Sequence, residues 1–283
     1  MNPSKRSLQF SSLLLTALLG GCAENTQQPA SSPPAAPEGA SAAAPAPPVT
    51  VPVPAGNPAS YQAIVDTAER SPEDRALDAG RQPAQLLAFI GVKPGMRLAE
   101  IGAGGGYTSE LLARAVGPTG AVYGQNSKMM LQRFAEKPWS ERLAKPIMKS
   151  VTRLDRDFDE PLPAEVQGLD AVVNVLFYHD TVWLGTDRAR MNQNILRALR
   201  SGGIYVILDH SGRAGSGSTE TESLHRIEEA VVREEITRAG FRLIRESQAW
   251  RNPADTRDWS ASPRFAGEKR GTSDRFALVF EKP

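Results

Sequence analysis

Arg97-Leu98-Ala99-Glu100-Ile101-Gly102-Ala103-Gly104-Gly105-Gly106-Tyr107 reads as a strand, a glycine turn and the first residue of a helix. Leu98 and Ile101 suit a buried strand. Over 107–116, Leu111, Leu112, Ala115 and Val116 recur at helical spacing. Between strand and helix, Gly102, Gly104, Gly105 and Gly106 remove the side chains that would keep a ligand off the backbone. Such a turn is expected to present free amides at a helix N-terminus, where a polar ligand can bind. A nicotinamide dinucleotide fingerprint requires G-x-G-x-x-G. Counted from Gly102 and Gly104, its third glycine falls on Tyr107. The pattern present is acid-x-G-x-G-x-G.

On either side the same alternation continues. Residues 81–95 read as a helix and a Pro-Gly turn leading into the first strand. Residues 117–120 are a turn and 121–124 a short second strand. A third strand is expected over 147–154, ending at Asp155-Arg156-Asp157-Phe158. Residues 168–176 form a continuous apolar run with one internal acid, which suits a buried parallel strand. A helix over 187–199 leads through Arg200-Ser201-Gly202-Gly203 to a strand over 204–209. A single helix is expected over 219–239, with Leu224, Ile227, Val231 and Ile236 as its buried stripe and Gly240 as its C-cap. Two late strands, 241–247 and 275–281, suit a hairpin. The alternation predicts an α/β fold with a doubly wound, mostly parallel sheet. A ligand then lies at the C-terminal strand ends.

The acid-x-G-x-G-x-G turn resembles the first motif of class I S-adenosylmethionine-dependent methyltransferases, and the resemblance covers roughly residues 76–283. It implies a seven-stranded sheet with an antiparallel C-terminal hairpin, and S-adenosylmethionine as cofactor. It places Glu100 near the methionine ammonium and packs Gly102, Ala103, Gly104, Gly106 and Tyr107 against the cofactor. Gln125, followed by Asn126, stands where the family has an acid that holds the ribose hydroxyls. An amide can still hydrogen-bond to hydroxyls, without charge. Asp155 and Asp157 are expected near the adenine, and Asn174 at the exit of the fourth strand. That exit reads Asn174-Val175-Leu176-Phe177, not the Asn/Asp-Pro-Pro-Tyr of enzymes that methylate the exocyclic amines of DNA bases.

Of the three histidines, His179 follows the fourth strand and His210 ends the fifth. His179 with Asp180, and His210 with Asp209, are candidates for a catalytic base and its orienting acid. His225, with Glu220 and Glu222 nearby, reads as part of a solvated helix face. No compact ligand motif such as H-E-x-x-H is present, and no metal is expected. Phe177, Tyr178 and Trp183 are candidates to line an acceptor pocket. Residues 250–273 are polar and irregular, suiting a lid, an acceptor-binding loop or a surface insertion. A net charge of +1 gives no case for nucleic acid.

The N-terminus reads differently. Lys5 and Arg6 precede an apolar run over 8–19, too short for the ~20 residues of a membrane span and suited to a signal peptide over 1–21. Leu19-Gly20-Gly21-Cys22 resembles the bacterial lipobox, which implies lipidation of Cys22. It is the only cysteine, so no intramolecular disulfide can form. Residues 22–58 have the Pro/Ala-rich composition of a disordered tether, leaving 59–283 as the folded domain. Ala23 in place of an aspartate favours the outer membrane, periplasmic side, over the inner membrane. The expected partners are a small-molecule or envelope methyl acceptor, and a membrane through the lipid anchor only. The other reading is an envelope-displayed, non-catalytic methyltransferase-like binding module. The lipobox and Gln125 both favour that reading, since S-adenosylmethionine is made in the cytoplasm.

Overall fold

A computed structural model describes residues 56–283. The signal peptide, Cys22 and nearly all of the tether lie outside the described residues. Strands β1 (Arg97–Ile101), β2 (Ala121–Asn126), β3 (Val151–Asp155), β4 (Leu169–Val175) and β5 (Leu199–His210) run parallel. After β6 (Arg242–Ser247), strand β7 (Arg275–Glu281) inserts antiparallel to both β5 and β6, so the order is β3-β2-β1-β4-β5-β7-β6. The late strands therefore pair as the sequence suggests.

Both faces of the sheet are buried, so strand residues alternate between two apolar layers. Leu98, Val206, Leu208, Ala277 and Val279 point to one layer, with α1 (Gln62–Val65), α3 (Pro83–Ile90), α4 (Tyr107–Val116) and Trp139 packed there. Ala99, Ile101, Tyr205, Ile207, Phe276 and Leu278 point to the other, covered by α8 (Arg188–Ala198) and α10 (Glu229–Arg238). Between α1 and α3 lies α2 (Pro72–Arg81), whose Ser71 Oγ accepts the Asp74 amide at 3.2 Å as an N-cap. Short helices α5 (Lys128–Met130), α6 (Glu136–Leu143), α7 (Asp180–Trp183) and α9 (Thr221–Leu224) border the C-terminal strand ends. Among the described residues no helix is long and apolar enough to cross a membrane.

Two expectations fail. The third strand starts at Val151 rather than 147, because Pro146 opens a 3-10 turn, Pro146–Ser150. Proline fixes its own φ and offers no N–H to a ladder. The helix expected over 219–239 is two helices. His225 is left-handed (φ 50°, ψ 51°) and ends α9. The chain then runs extended beside β5, where the Ile227 amide donates to the His210 carbonyl at 3.1 Å and the Gly212 amide to the Ile227 carbonyl at 2.7 Å. Ile227 is fully buried in that extended segment, so its helical spacing to Leu224 and Val231 is coincidental.

Candidate active site

From β1 the chain winds outward through β2 and β3, then returns to place β4 on the other side of β1. Loops leaving β1 and β4 thus diverge, which opens a crevice at their C-terminal ends. A cavity of about 420 Å³ lies there, lined by the glycine loop, the β4 exit, all three histidines and residues 261–263. Ligand sites commonly span roughly 300–1,000 Å³.

The glycines of the loop differ in purpose. Gly102, Gly104 and Gly106 all have positive φ (71°, 55° and 81°). A Cβ on Gly102 would collide with the Phe177 ring, and one on Gly106 with the Trp139 ring. A Cβ on Gly104 would meet nothing within 4 Å. Only Gly104 of the three faces open space.

Four amides of the loop are already taken. Gly102 N–H donates to Gln125 Oε1 (3.2 Å), Ala103 N–H to the Gln125 carbonyl (2.9 Å), Gly104 N–H to Asn126 Oδ1 (2.8 Å) and Gly106 N–H to the Ala103 carbonyl (2.8 Å). Gln125 Nε2 donates onward to the Arg156 carbonyl at 2.6 Å, and Asn126 Nδ2 to the Gly104 carbonyl at 3.1 Å. Both side chains are fully buried. The ribose role expected of Gln125 is therefore corrected: Gln125 and Asn126 clamp the glycine loop to β2 and do not line the cavity. Asp155 and Asp157 are exposed beside Lys128 and Arg190 in a separate groove, with Asp155 paired to Arg153 at 2.7 Å. Asn174 lies within β4 between Ile101 and Ile207, buried and away from the cavity.

Glu100 and Tyr107 do line the cavity. Tyr107 donates its hydroxyl to Asp78 Oδ1 at 2.6 Å. Glu100 is 3 % exposed and accepts from the Ser109 hydroxyl. Burial outweighs the hydrogen bonds from Ser109 and Thr108 and raises its pKa to about 7. A carboxyl with a raised folded-state pKa stabilises the fold fully below its unfolded value near 4.5, and that contribution is lost as pH rises through about 7. Glu100→Gln should remove a loss of roughly 1–3 kcal/mol between pH 5 and pH 8. Thermal melts of both proteins at the two pH values test this. Parallel pH slopes would show that Glu100 is not the cause.

Sequence reasoning missed two arginines. Arg142, from α6, makes a bidentate pair with Asp74 (2.6 and 2.8 Å), bonds to Glu110, and donates to the Gly105 carbonyl at 2.6 Å. Arg81 stacks its guanidinium 4.6 Å from the Tyr107 ring centroid. Among the described residues no carboxylate lies within ion-pair distance of it. Both come from elements remote in sequence from the glycine loop, and no local motif marks them.

At the opposite end, the histidine pairings differ from those expected. Asp209 is fully buried and orients His179, not the His210 ring. Its Oδ1 lies 2.7 Å from His179 Nδ1, and its two oxygens accept the amides of His179 and His210 at 2.8 Å each. His210 Nδ1 instead meets Ser273 Oγ at 2.7 Å. Asp180 Oδ1 lies 3.2 Å from His179 Nε2 and accepts from Trp183 Nε1 at 2.8 Å. Burial alone would lower the His179 pKa, but Asp209 and Asp180 on either side raise it to about 10. Burial, with the charges of His179 and Arg275, holds the His210 pKa well below the usual histidine range.

His225 joins this group, overturning the solvated-face expectation. Its Nδ1 lies 3.2 Å from Asp180 Oδ1 and 3.3 Å from His179 Nε2. Left-handed backbone at a non-glycine residue costs on the order of 1–2 kcal/mol. The neighbouring Arg226 holds it there through a fully buried pair with Asp255 (2.9 Å) and bonds to the Ser211 and Trp259 carbonyls (3.1 Å each). The same pair fastens the 250–273 segment, so residues 261–263 form a wall of the cavity rather than a surface insertion. Of the three aromatics, Phe177 lines the cavity. Tyr178 is buried against Glu235 and Asn192 (2.8 and 3.0 Å), and Trp183 serves Asp180.

Residues 99–207 match the family described as a methyltransferase domain. Among solved structures the fold is similar to a SAM-dependent methyltransferase from Aquifex aeolicus (17 % identity, 80 % of this chain and 99 % of that chain, TM-score 0.54). It is also similar to a structure of the Trm112 methyltransferase activator with a methyltransferase from Haloferax volcanii (20 % identity, 79 % and 97 %, TM-score 0.51). Over residues 99–207 the chain is thus similar to methyltransferase domains, and the fold of the described residues is similar to that of the SAM-dependent methyltransferase from Aquifex aeolicus.

Proposed function

We propose that this domain methylates a small molecule or a component of the cell envelope, bound between the histidine group and residues 261–263. The observation that carries the reading is the shared cavity: Gly104, with open space before it, and the histidines at the β4 and β5 exits face the same volume. The residues suit S-adenosylmethionine. Gly104 leaves room, Arg81 offers an uncommitted cation to a carboxylate, and Glu100 and Tyr107 complete that wall. When bound, the cofactor supplies an electrophilic methyl group. The chain's part is to orient the acceptor and accept its proton. His210 suits the second task, because Nδ1 is held by Ser273 and none of the described residues bonds Nε2. Asp209 acts as a positioning residue that fixes His179.

Titration calorimetry with S-adenosylmethionine on the full chain tests the reading. Binding supports it, and screening envelope extracts for labelled product then finds the acceptor. No heat at millimolar ligand would instead support the non-catalytic envelope module, which the internal commitment of Gln125 favours.

The lipobox resemblance supports an envelope location with Cys22 acylated, on the periplasmic side of the outer membrane. Cys22→Ala should leave an unprocessed or soluble protein. Unchanged mass and membrane fractionation in that variant would remove the lipid anchor from the proposal.

A further inference from the structure

We propose that His179 Nε2, the Asp180 carboxylate and His225 Nδ1 bind one divalent transition-metal ion, of the zinc or iron(II) kind, on the acceptor side of the cavity. The three atoms form a nearly equilateral triangle with edges of 3.2, 3.2 and 3.3 Å. Zinc binds imidazole nitrogen and carboxylate oxygen at about 2.0–2.2 Å, so its ligand atoms stand roughly 2.8–3.6 Å apart for bond angles from about 90° to 110°. The observed edges fall inside that range. An ion about 2.1 Å from all three would sit roughly 1 Å above their plane.

The hydrogen bonding around the triangle points the same way. Asp209 takes two backbone amides and lies against His179 Nδ1, so Nδ1 is the nitrogen that carries the proton. With a cation in place of the second proton, His179 presents its Nε2 lone pair on the side of Asp180 and His225. This is the carboxylate–histidine–metal relay that fixes tautomer and ring orientation in metal sites. Trp183 Nε1 donates to the same Asp180 Oδ1, which fixes the carboxylate and leaves that oxygen a further lone pair. Three electron-pair donors converge, and a single extra proton can serve only part of the triangle, whereas a cation serves all three edges.

Position and access fit as well. The left-handed backbone of His225 aims its ring at the other two residues. The side chains of Asp180 and His225 are 19 % and 22 % exposed, and both line the cavity. Three protein ligands leave a coordination position open toward it, as in catalytic zinc sites. Two nitrogen donors of three disfavour magnesium and calcium, which take oxygen.

The inference does not depend on the methyltransferase reading, and its test separates the two. Full chain purified without chelator, then stripped with EDTA, is titrated with Zn²⁺ by calorimetry and with Co²⁺ by visible absorption. One equivalent of each is expected, no heat with Mg²⁺, and a rise in melting temperature with Zn²⁺. His225→Gly removes one ligand and relieves the positive φ, so the variant should fold at least as well. Its zinc affinity should fall by more than the ~10–100-fold that loss of an outer-shell partner costs. Asp209→Asn should fall within that 10–100-fold range. Saturating Zn²⁺ without stoichiometric uptake, or unchanged affinity in folded His225→Gly, overturns the proposal. S-adenosylmethionine titration of the same stripped samples reports the cofactor site separately.

Discussion

Gly104→Val should abolish binding of S-adenosylmethionine while the domain stays folded. A Cβ at this position meets nothing within 4 Å, so the isopropyl group projects into the cavity and occupies ligand space. The substitution also forces a β-branched residue to φ 55°, at a cost of about 1–3 kcal/mol. For a domain of this size each kcal/mol lowers the melting temperature by roughly 2–4 °C, so the variant is weakened but intact. Gly91→Val is the matched control. Gly91 also has positive φ (75°) and open surroundings, but it ends α3 and does not line the cavity. That variant should show a similar thermal loss and keep its affinity. Normal calorimetric binding by Gly104→Val would remove the glycine loop from the cofactor site.

His210→Ala should lower turnover about 10²–10⁴-fold, the usual contribution of a general base. His210 is 7 % exposed, its Nδ1 is fixed by Ser273, and the residue lines the cavity. Cofactor affinity should change by less than a factor of a few, since the glycine loop lies at the other end. His179→Ala should also lower turnover, because it removes the residue that Asp209 positions at the β4 exit. Both measurements use the acceptor found by labelled-product screening. Near-normal turnover in both variants and in the double variant would make the histidines structural, with rate coming from proximity and orientation alone.

The frame of the site was legible because it depends on local signals. Glycine spacing after β1, apolar runs for β4 and β5 and the RFALVFE run of β7 each encode their own geometry. What escaped depends on tertiary partners. Residues 219–239 carry helical spacing throughout, and nothing local at His225 announces a left-handed residue. The buried Arg226–Asp255 pair, formed with a segment about thirty residues later, fixes the break. Gln125 occupies the expected position, yet its amide satisfies the glycine loop and the Arg156 carbonyl together, a pairing visible only once β2, β1 and β3 are side by side. Arg81 and Arg142 reach the cavity from α2 and α6, with no spacing that relates them to it.

The Gln125 and Asn126 clamps on the glycine loop are neutral amides. Neutral amides do not titrate in the physiological range, and salt does not screen them as it screens an ion pair. At the Gly102 and Gly104 amides the attachment of the loop to β2 is thus insulated from swings in acidity and ionic strength. Charge enters the cavity wall elsewhere, through Arg142 at the Gly105 carbonyl and through Glu100, His179 and His210, while the two amide clamps hold their part of the loop in one shape.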